Sequence, residues 1–196
     1  MKKKLSLLIC LLFMSIAFLG CAEDPPTKFE RNVKVGNNEV LLESKTAFNG
    51  KVNIYIPNDF EKMPEEVMSK ISSKDKKPDS MYTDSTQSII LGFIDTGTKT
   101  TDSKVGNGDK EFAKLMMSSI YPSMKITNCD VEKVNGKNIL KCEYEFSEGN
   151  QTLYFYAFGF ELDKKFCGGI FFCEPGEKDN YKPVIENVIK SIKIKN

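Results

Sequence analysis

The sequence predicts an α+β fold, an α/β/α sandwich around a largely antiparallel sheet, from three observations. Short apolar segments alternate with turn dipeptides at close spacing, as in hairpin-connected strands. Two longer stretches place apolar residues at helical spacing, 112–120 and 181–192. Several strand segments are apolar on successive residues, so each of their faces requires a covering layer.

The 196-residue chain opens with Lys2, Lys3 and Lys4, then an apolar stretch from Leu5 to Leu19 broken only by Ser6 and Ser15. Gly20-Cys21 closes it. A basic start and an apolar run too short to span as a membrane helix read as a secretory signal. The small residue before Cys21 resembles a lipobox, in which the cysteine is lipidated and becomes the new N-terminus. Two acyl chains, at about 0.8 kcal/mol per buried CH₂, would hold the product at the membrane. The alternative is an ordinary signal peptide with a chance cysteine. The organisation expected is therefore a signal peptide over 1–20, a flexible tether over 21–30 carrying Pro25-Pro26, and a single folded domain over 31–196.

The strands begin with Val33 and Val35, and a turn at Gly36-Asn37-Asn38 leads to Val40-Leu41-Leu42. Asn49-Gly50 is a hairpin dipeptide that accepts positive φ at both central positions. Val52, Ile54 and Ile56 then alternate with polar residues until Pro57, which cannot donate to a ladder. Met63 to Ile71 reads as a short helix, with Pro64, Glu65 and Glu66 in its first turn. The cluster Lys74-Asp75-Lys76-Lys77 reads as a solvated loop. Met81–Thr83 and Ser88–Ile94 are strands, the second apolar on both faces.

Residues 96–108 read as a loop. Asp95, Asp102, Asn107 and Asp109 suggest calcium, but their spacing does not match an EF-hand, and Asp109 suits the cap of a helix. That helix runs from about Asp109 to Ile120 on the stripe Phe112, Leu115, Met116, Ser119, Ile120, and Tyr121-Pro122 ends it.

Asn135-Gly136 predicts a two-residue turn, which sets Val131 opposite Leu140 and Cys129 opposite Cys142. One face of this ribbon is then apolar and the other carries Asp130, Glu132, Lys141 and Glu143, so turn chemistry and burial pattern specify the same register. Cys129 and Cys142 are placed to form a disulfide, which an exported location permits. The alternative is two reduced, buried thiols. A turn at Glu148-Gly149 would place Phe155 opposite Cys142. Leu153–Leu162 is apolar on both faces and therefore central in its sheet. Asp163-Lys164 turns into Phe166–Cys173, whose Cys167 and Cys173 are too far apart along one strand to bridge. Without a C-x-x-C pair, a four-cysteine zinc site is not supported. The closing helix carries Tyr181, Val184, Ile185, Val188, Ile189 and Ile192 on one stripe, with Asp179 or Asn180 as cap and Pro183 in the first turn.

The chain contains no histidine, which excludes Ser-His-Asp and Cys-His nucleophile systems. A formal charge of +1, or −2 once the three lysines of residues 1–20 are removed, makes no electrostatic case for nucleic acid. The sequence thus predicts no catalytic residues, no cofactor and no metal. It predicts a monomer that meets the membrane through its N-terminal lipid, at the cell membrane or outer membrane outside the cytoplasm, and a protein partner of unspecified identity. One alternative is a lipid or small-molecule binder using the aromatic strands. Another is a histidine-free hydrolase or transferase, which would need a buried lysine or paired carboxylates such as Glu143, Glu145 and Glu161 in one cleft.

Ile54-Tyr55-Ile56-Pro57 to Phe60, Pro64-Glu65-Glu66, Lys77-Pro78-Asp79, Ile90-Leu91-Gly92-Phe93, Val134-Asn135-Gly136-Lys137 and Ser191-Ile192-Lys193-Ile194 together carry a family likeness. Over Val52 to Ile194 the chain resembles the PsbP-like superfamily, which includes the photosystem II extrinsic protein and DcrB-like bacterial lipoproteins. These are strand, turn and helix positions. The resemblance implies a non-enzymatic binding or assembly role and carries no functional residue across.

Overall fold

A computed structural model describes residues 26–71, 78–100, 105–120, 123–148 and 151–195. Cys21, the lysine cluster at 74–77, Asp102 and Tyr121-Pro122 lie outside the described residues. The order is β1 (Asn32–Val35), β2 (Asn38–Ala47), β3 (Val52–Pro57), β4 (Glu61–Lys62), α1 (Glu65–Ile71), β5 (Ser80–Thr83), β6 (Ile90–Lys99), α2 (Asn107–Ile120), β7 (Met124–Val134), β8 (Lys137–Glu148), β9 (Gln151–Leu162), β10 (Lys165–Cys173), α3 (Lys178–Lys190) and β11 (Lys193–Ile194). The fold is mostly antiparallel sheet with a few helices. No described helix is long and apolar enough to cross a membrane.

The strands form two hydrogen-bonded sheets, β1-β2-β3-β11 and β4-β5-β6-β10-β9-β8-β7. The two-residue β11 follows α3 and pairs with β3, so Lys193 belongs to a strand edge and not to the helix end. The even-numbered residues of β9 from Tyr154 to Leu162 are buried. They pack in one core with Val52, Ile54 and Ile56 of β3 and Val184, Ile185, Val188 and Ile189 of α3. Burying a helix stripe of this kind contributes roughly 1.5–3 kcal/mol per large aliphatic side chain. On the opposite face of the long sheet, Leu140, Cys142 and Tyr144 gather with Val105. Ile90 packs there with Met63, Met68 and Met81.

Several local expectations need correction. Asn49-Gly50 does not make a two-residue turn. Ala47 pairs with Val52, and Phe48, Asn49 and Gly50 all take positive φ in the four-residue loop. The strand after Ser88 continues to Lys99, so residues 96–99 of the supposed loop belong to β6, with Lys99 paired to Lys165 of β10 beyond a bulge. Helix α2 starts at Asn107, and Asp109 caps it from inside, accepting the Gly106 N–H at 2.8 Å. Phe155 faces Tyr144, and Cys142 faces Ala157, because Glu148 pairs with Gln151. Residues 149 and 150, on which part of the expected turn falls, lie outside the described residues. A shift of two residues leaves every side chain on its expected face. Helix α3 is preceded by a 3₁₀ turn, Pro175–Glu177, and neither Asp179 nor Asn180 caps it. Pro183 consequently lies in the second turn.

Candidate functional site

Polar side chains converge between the β7–β8 hairpin and α3. Lys178, Lys182 and Glu186 recur every four residues on the helix, about 6 Å apart along its axis. Glu145, Glu143 and Lys141 recur every second residue on β8, about 6.8 Å apart. The two repeats nearly match, and the side chains join rung by rung. Lys178 donates to Glu145 at 3.0 Å, Lys182 to Glu143 at 2.9 and 3.0 Å, and Lys141 to Glu186 at 3.1 Å. The sign of charge reverses at the third rung, so a one-rung slip of the helix would oppose like charges.

Buried tyrosines on β9 complete this ladder. Tyr154 donates to Glu143 at 2.8 Å, and Tyr156 donates to Glu186. Asn128 donates to Glu143 at 3.4 Å, and Glu132 accepts from Lys141. Burial alone would raise the Glu143 carboxyl, but hydrogen bonds from Lys182 and Tyr154, with the Lys182 charge, hold it below its ordinary value. Burial would lower Lys141, and its bond to Glu132 with the charge of Glu186 outweighs that and raises it. Tyr154 and Tyr156 are both pushed up, first by burial and then by donating to carboxylates. Each shift moves a group away from neutral pH. Glu143 and Lys141 are thereby held in their charged forms, which does not suit them to proton transfer near neutral pH.

The carboxylates that the hydrolase alternative would use are not gathered in one cleft. Glu143 and Glu145 share one face of β8 and are both paired with lysines, whereas Glu161 lies on the other face of the sheet and accepts the Lys164 N–H. Cys129 and Cys142 are joined in a disulfide with Cα atoms 4.0 Å apart. The register around them is the one the Asn135-Gly136 turn predicts, from Val134↔Lys137 to Asn128↔Glu143. A bulge between Ile126 and Asn128 then switches parity, so Met124 and Ile126 join Cys129 and Val131 on the apolar face. Cys167 and Cys173 are buried free thiols. Burial pushes each up to about 12, which keeps them protonated and weakly nucleophilic.

Asn135 ties three parts of the chain together. Its N–H donates to Thr27 Oγ1 at 2.9 Å, and its Oδ1 accepts the Thr27 N–H at 2.7 Å. Its Nδ2 donates to the carbonyls of Lys190 at 3.3 Å and Ile192 at 2.8 Å. Glu30 N–H donates to Asn187 Oδ1 at 2.7 Å, and the Phe29 ring lies 4.9 Å from Tyr55. The described end of the expected tether, up to residue 30, is thus held against the fold.

A cleft of about 210 Å³ opens beside the β2–β3 loop, lined by Phe48, Lys51, Asp79, Asp95, Lys165 and Cys167, among others. It is smaller than a typical drug-sized ligand site of roughly 300–1,000 Å³. Its charged groups are engaged. Asp79 accepts the Phe48 N–H at 3.0 Å, Asp95 lies 3.6 Å from Lys165, and Lys51 pairs with Asp163.

No protein-family model and no curated protein matches the sequence. Solved structures do match. The solution structure of cyanobacterial PsbP (CyanoP) from Synechocystis sp. PCC 6803 aligns with a TM-score of 0.60 at 14% identity, over 81% of this chain and 95% of that one. The fold is PsbP-like. LpqN, involved in cell envelope biogenesis of Mycobacterium tuberculosis, aligns at a TM-score of 0.47 and 10% identity, over 83% and 95% of the two chains. The immunity protein TplEi of Pseudomonas aeruginosa, solved with a peptide, aligns at 0.41 and 9%, over 88% and 58%. At these identities a likeness concerns the fold alone.

Within this PsbP-like fold, sequence reasoning placed Cys129, Cys142 and Glu143 on their correct faces and missed Lys178, Lys182 and Glu186 as the partners of Glu145, Glu143 and Lys141. The available signal was the i, i+4, i+8 charge stripe flanking the apolar stripe of α3. Nothing local signalled Thr27.

Proposed function

We propose that the chain is an exported lipoprotein, anchored through Cys21, whose PsbP-like fold binds a protein partner at the cell envelope without catalysing a reaction. The observation that carries this reading is the start of the chain, Lys2-Lys3-Lys4, the apolar run to Leu19 and Gly20-Cys21. The ladder on α3 supports the non-enzymatic part, since its charges are paired with one another. The organisation read with it is a signal peptide over 1–20 and one folded domain, with α3 covering one face of the long sheet and α1 and α2 the other, as in an α/β/α sandwich.

The experiment is mass analysis of the N-terminal peptide from membranes of the producing cell, beside a Cys21→Ser variant. A diacylated Cys21, and a variant that is neither processed nor partitioned with bilayers, are the expected results. A serine variant that still matures and still partitions with membranes overturns the anchor. Affinity purification of the tagged chain from solubilised membranes tests the partner. Recovery of this chain by itself, under crosslinking as well as without it, overturns partner binding.

A further inference from the structure

Charge is strongly polarised along the strand direction of the long sheet. At one end lie the close of β6 at Lys99, the turn Asp163-Lys164, the start of β10 at Lys165, and the hairpin tip flanked by Lys133 and Lys137. The end of α3 at Lys190 adjoins that tip through Asn135, and Lys193 and Lys195 follow it. Lys51 accepts the Lys195 N–H at its carbonyl, and Lys28 stands next to Thr27 at the tip. All of these lysines are exposed except Lys190, which is half-buried. Among the described residues, the acids on the strands and turns of the long sheet at this end are Asp79, Asp95, Glu132, Glu161 and Asp163, and each is engaged, Glu132 by Lys141. Asp163 holds Lys51, Asp95 holds Lys165, and Asp79 and Glu161 accept backbone N–H groups.

The opposite end carries Asp59, Glu61, Asp84, Glu145, Glu174, Glu177 and Asp179 against Lys62, Lys125 and Lys178, and Lys34 faces Glu39 across β1 and β2 there. A chain with a formal charge near zero has therefore sorted its signs to opposite ends. The basic end is also where the described chain begins, since Thr27 is bonded to Asn135 at the hairpin tip.

We infer that this lysine-rich end lies on an anionic membrane surface, held there by the short segment that leads back to Cys21. Five residues separate Cys21 from Thr27. Fully extended, they reach about 20 Å at ~3.6 Å per residue, so an anchored molecule keeps this end nearest the bilayer. Each lysine at an anionic surface strengthens association by roughly five-fold, and salt screens the effect over about 8–10 Å. The acidic end then points away from the lipid, towards whatever the protein meets. The tether in this inference rests on the lipoprotein reading, whereas the charge distribution does not.

The test is lysine acylation of the purified full chain, reconstituted in phosphatidylglycerol–phosphatidylcholine vesicles and in pure phosphatidylcholine vesicles, with modification read residue by residue by mass spectrometry. Lys137, Lys193 and Lys195 are expected to react several-fold more slowly on the anionic vesicles, with Lys62 and Lys125 unchanged and the difference abolished by high salt. Equal reactivity on both vesicle types overturns the inference. A triple variant, Lys137→Glu, Lys193→Glu and Lys195→Glu, checked for an unaltered circular dichroism spectrum, should lose the protection, and protection that survives the reversal also overturns it. If N-terminal mass analysis finds Cys21 unmodified, the anchor reading fails by itself. The unanchored chain is then sedimented with the anionic vesicles. Binding weakened at least ten-fold by the triple reversal supports the surface assignment, and absence of binding overturns it.

Discussion

Asn135 occupies a left-handed backbone position, with φ of 47°, and takes part in four hydrogen bonds linking the hairpin turn to Thr27 and to the end of α3. Two contributions can be separated by substitution. Asn135→Gly keeps the left-handed geometry and removes the side-chain bonds, whereas Asn135→Ala also places a Cβ where it is disfavoured. Chemical denaturation is expected to show a loss of about 2 kcal/mol for glycine and about 1 kcal/mol more for alanine. Equal stability of all three proteins would contradict the assignment. Glu143 yields a prediction in pH. Its folded value is held below the ordinary 4.5, so the stability it contributes is present above that pH and is lost as pH falls through the folded value. A Glu143→Gln variant should therefore be less stable near neutrality, and its disadvantage should shrink as the pH is lowered below about 4.5. A disadvantage that grows on acidification would reverse the sign of this argument. At this scale the Asn-Gly turn was legible because its chemistry is local. The partners of Asn135 lie 108 and 55–57 residues away and leave no local trace.

Among the elements, β9 and β10 show why glycines sit inside strands. Gly168 pairs with Gly159, and a Cβ added at Gly168 would lie 2.1 Å from the Phe158 carbonyl oxygen, a backbone atom. A Cβ at Gly159 would instead meet the ring of Phe166, a side chain that is half-buried. Gly168→Ala is expected to cost about 3 kcal/mol or more, and Gly159→Ala less, since a ring can turn where a ladder cannot. Thermal unfolding of the two variants side by side checks the order. The β7–β8 hairpin was legible down to its register, because turn chemistry and alternation both specify it. The extension of β6 to Lys99 was not. Thr96, Gly97, Thr98 and Lys99 have loop composition, and β10 alone supplies the ladder that makes them strand. The seat of α3 on the sheet lay between these cases. Its apolar stripe could be read directly, but the matching spacing of 178/182/186 and 145/143/141 has meaning only once the two elements are opposed.

For the molecule as a whole, the disulfide acts on the unfolded chain more than on the folded one. Cys129 and Cys142 are 13 residues apart, and closing a loop of this size contributes roughly 3 kcal/mol in the chain-entropy model. Denaturation with and without a reductant should show a loss approaching that amount. A stability unchanged by reduction, with thiol titration confirming that the bond has opened, would remove this contribution. Cys167 and Cys173 sit on one strand and remain available for that titration only on unfolding, since both are buried. Charge polarity is also a whole-molecule property, set by which turns the antiparallel meander gathers at each end.

The sequence by itself determined what local chemistry can determine: strands joined by tight turns with a few helices, the Cys129–Cys142 register, and the apolar stripe of α3. Turn dipeptides and side-chain period constrain neighbours in the chain, so these features need no distant partner. Tertiary structure decided the division into two sheets, the docking of Thr27 to Asn135, the pairing of Glu143 with Lys182, and the sorting of lysines to one end. Those depend on which segments meet, and apolar burial, being non-directional, leaves the choice of partner to the packing of the whole chain.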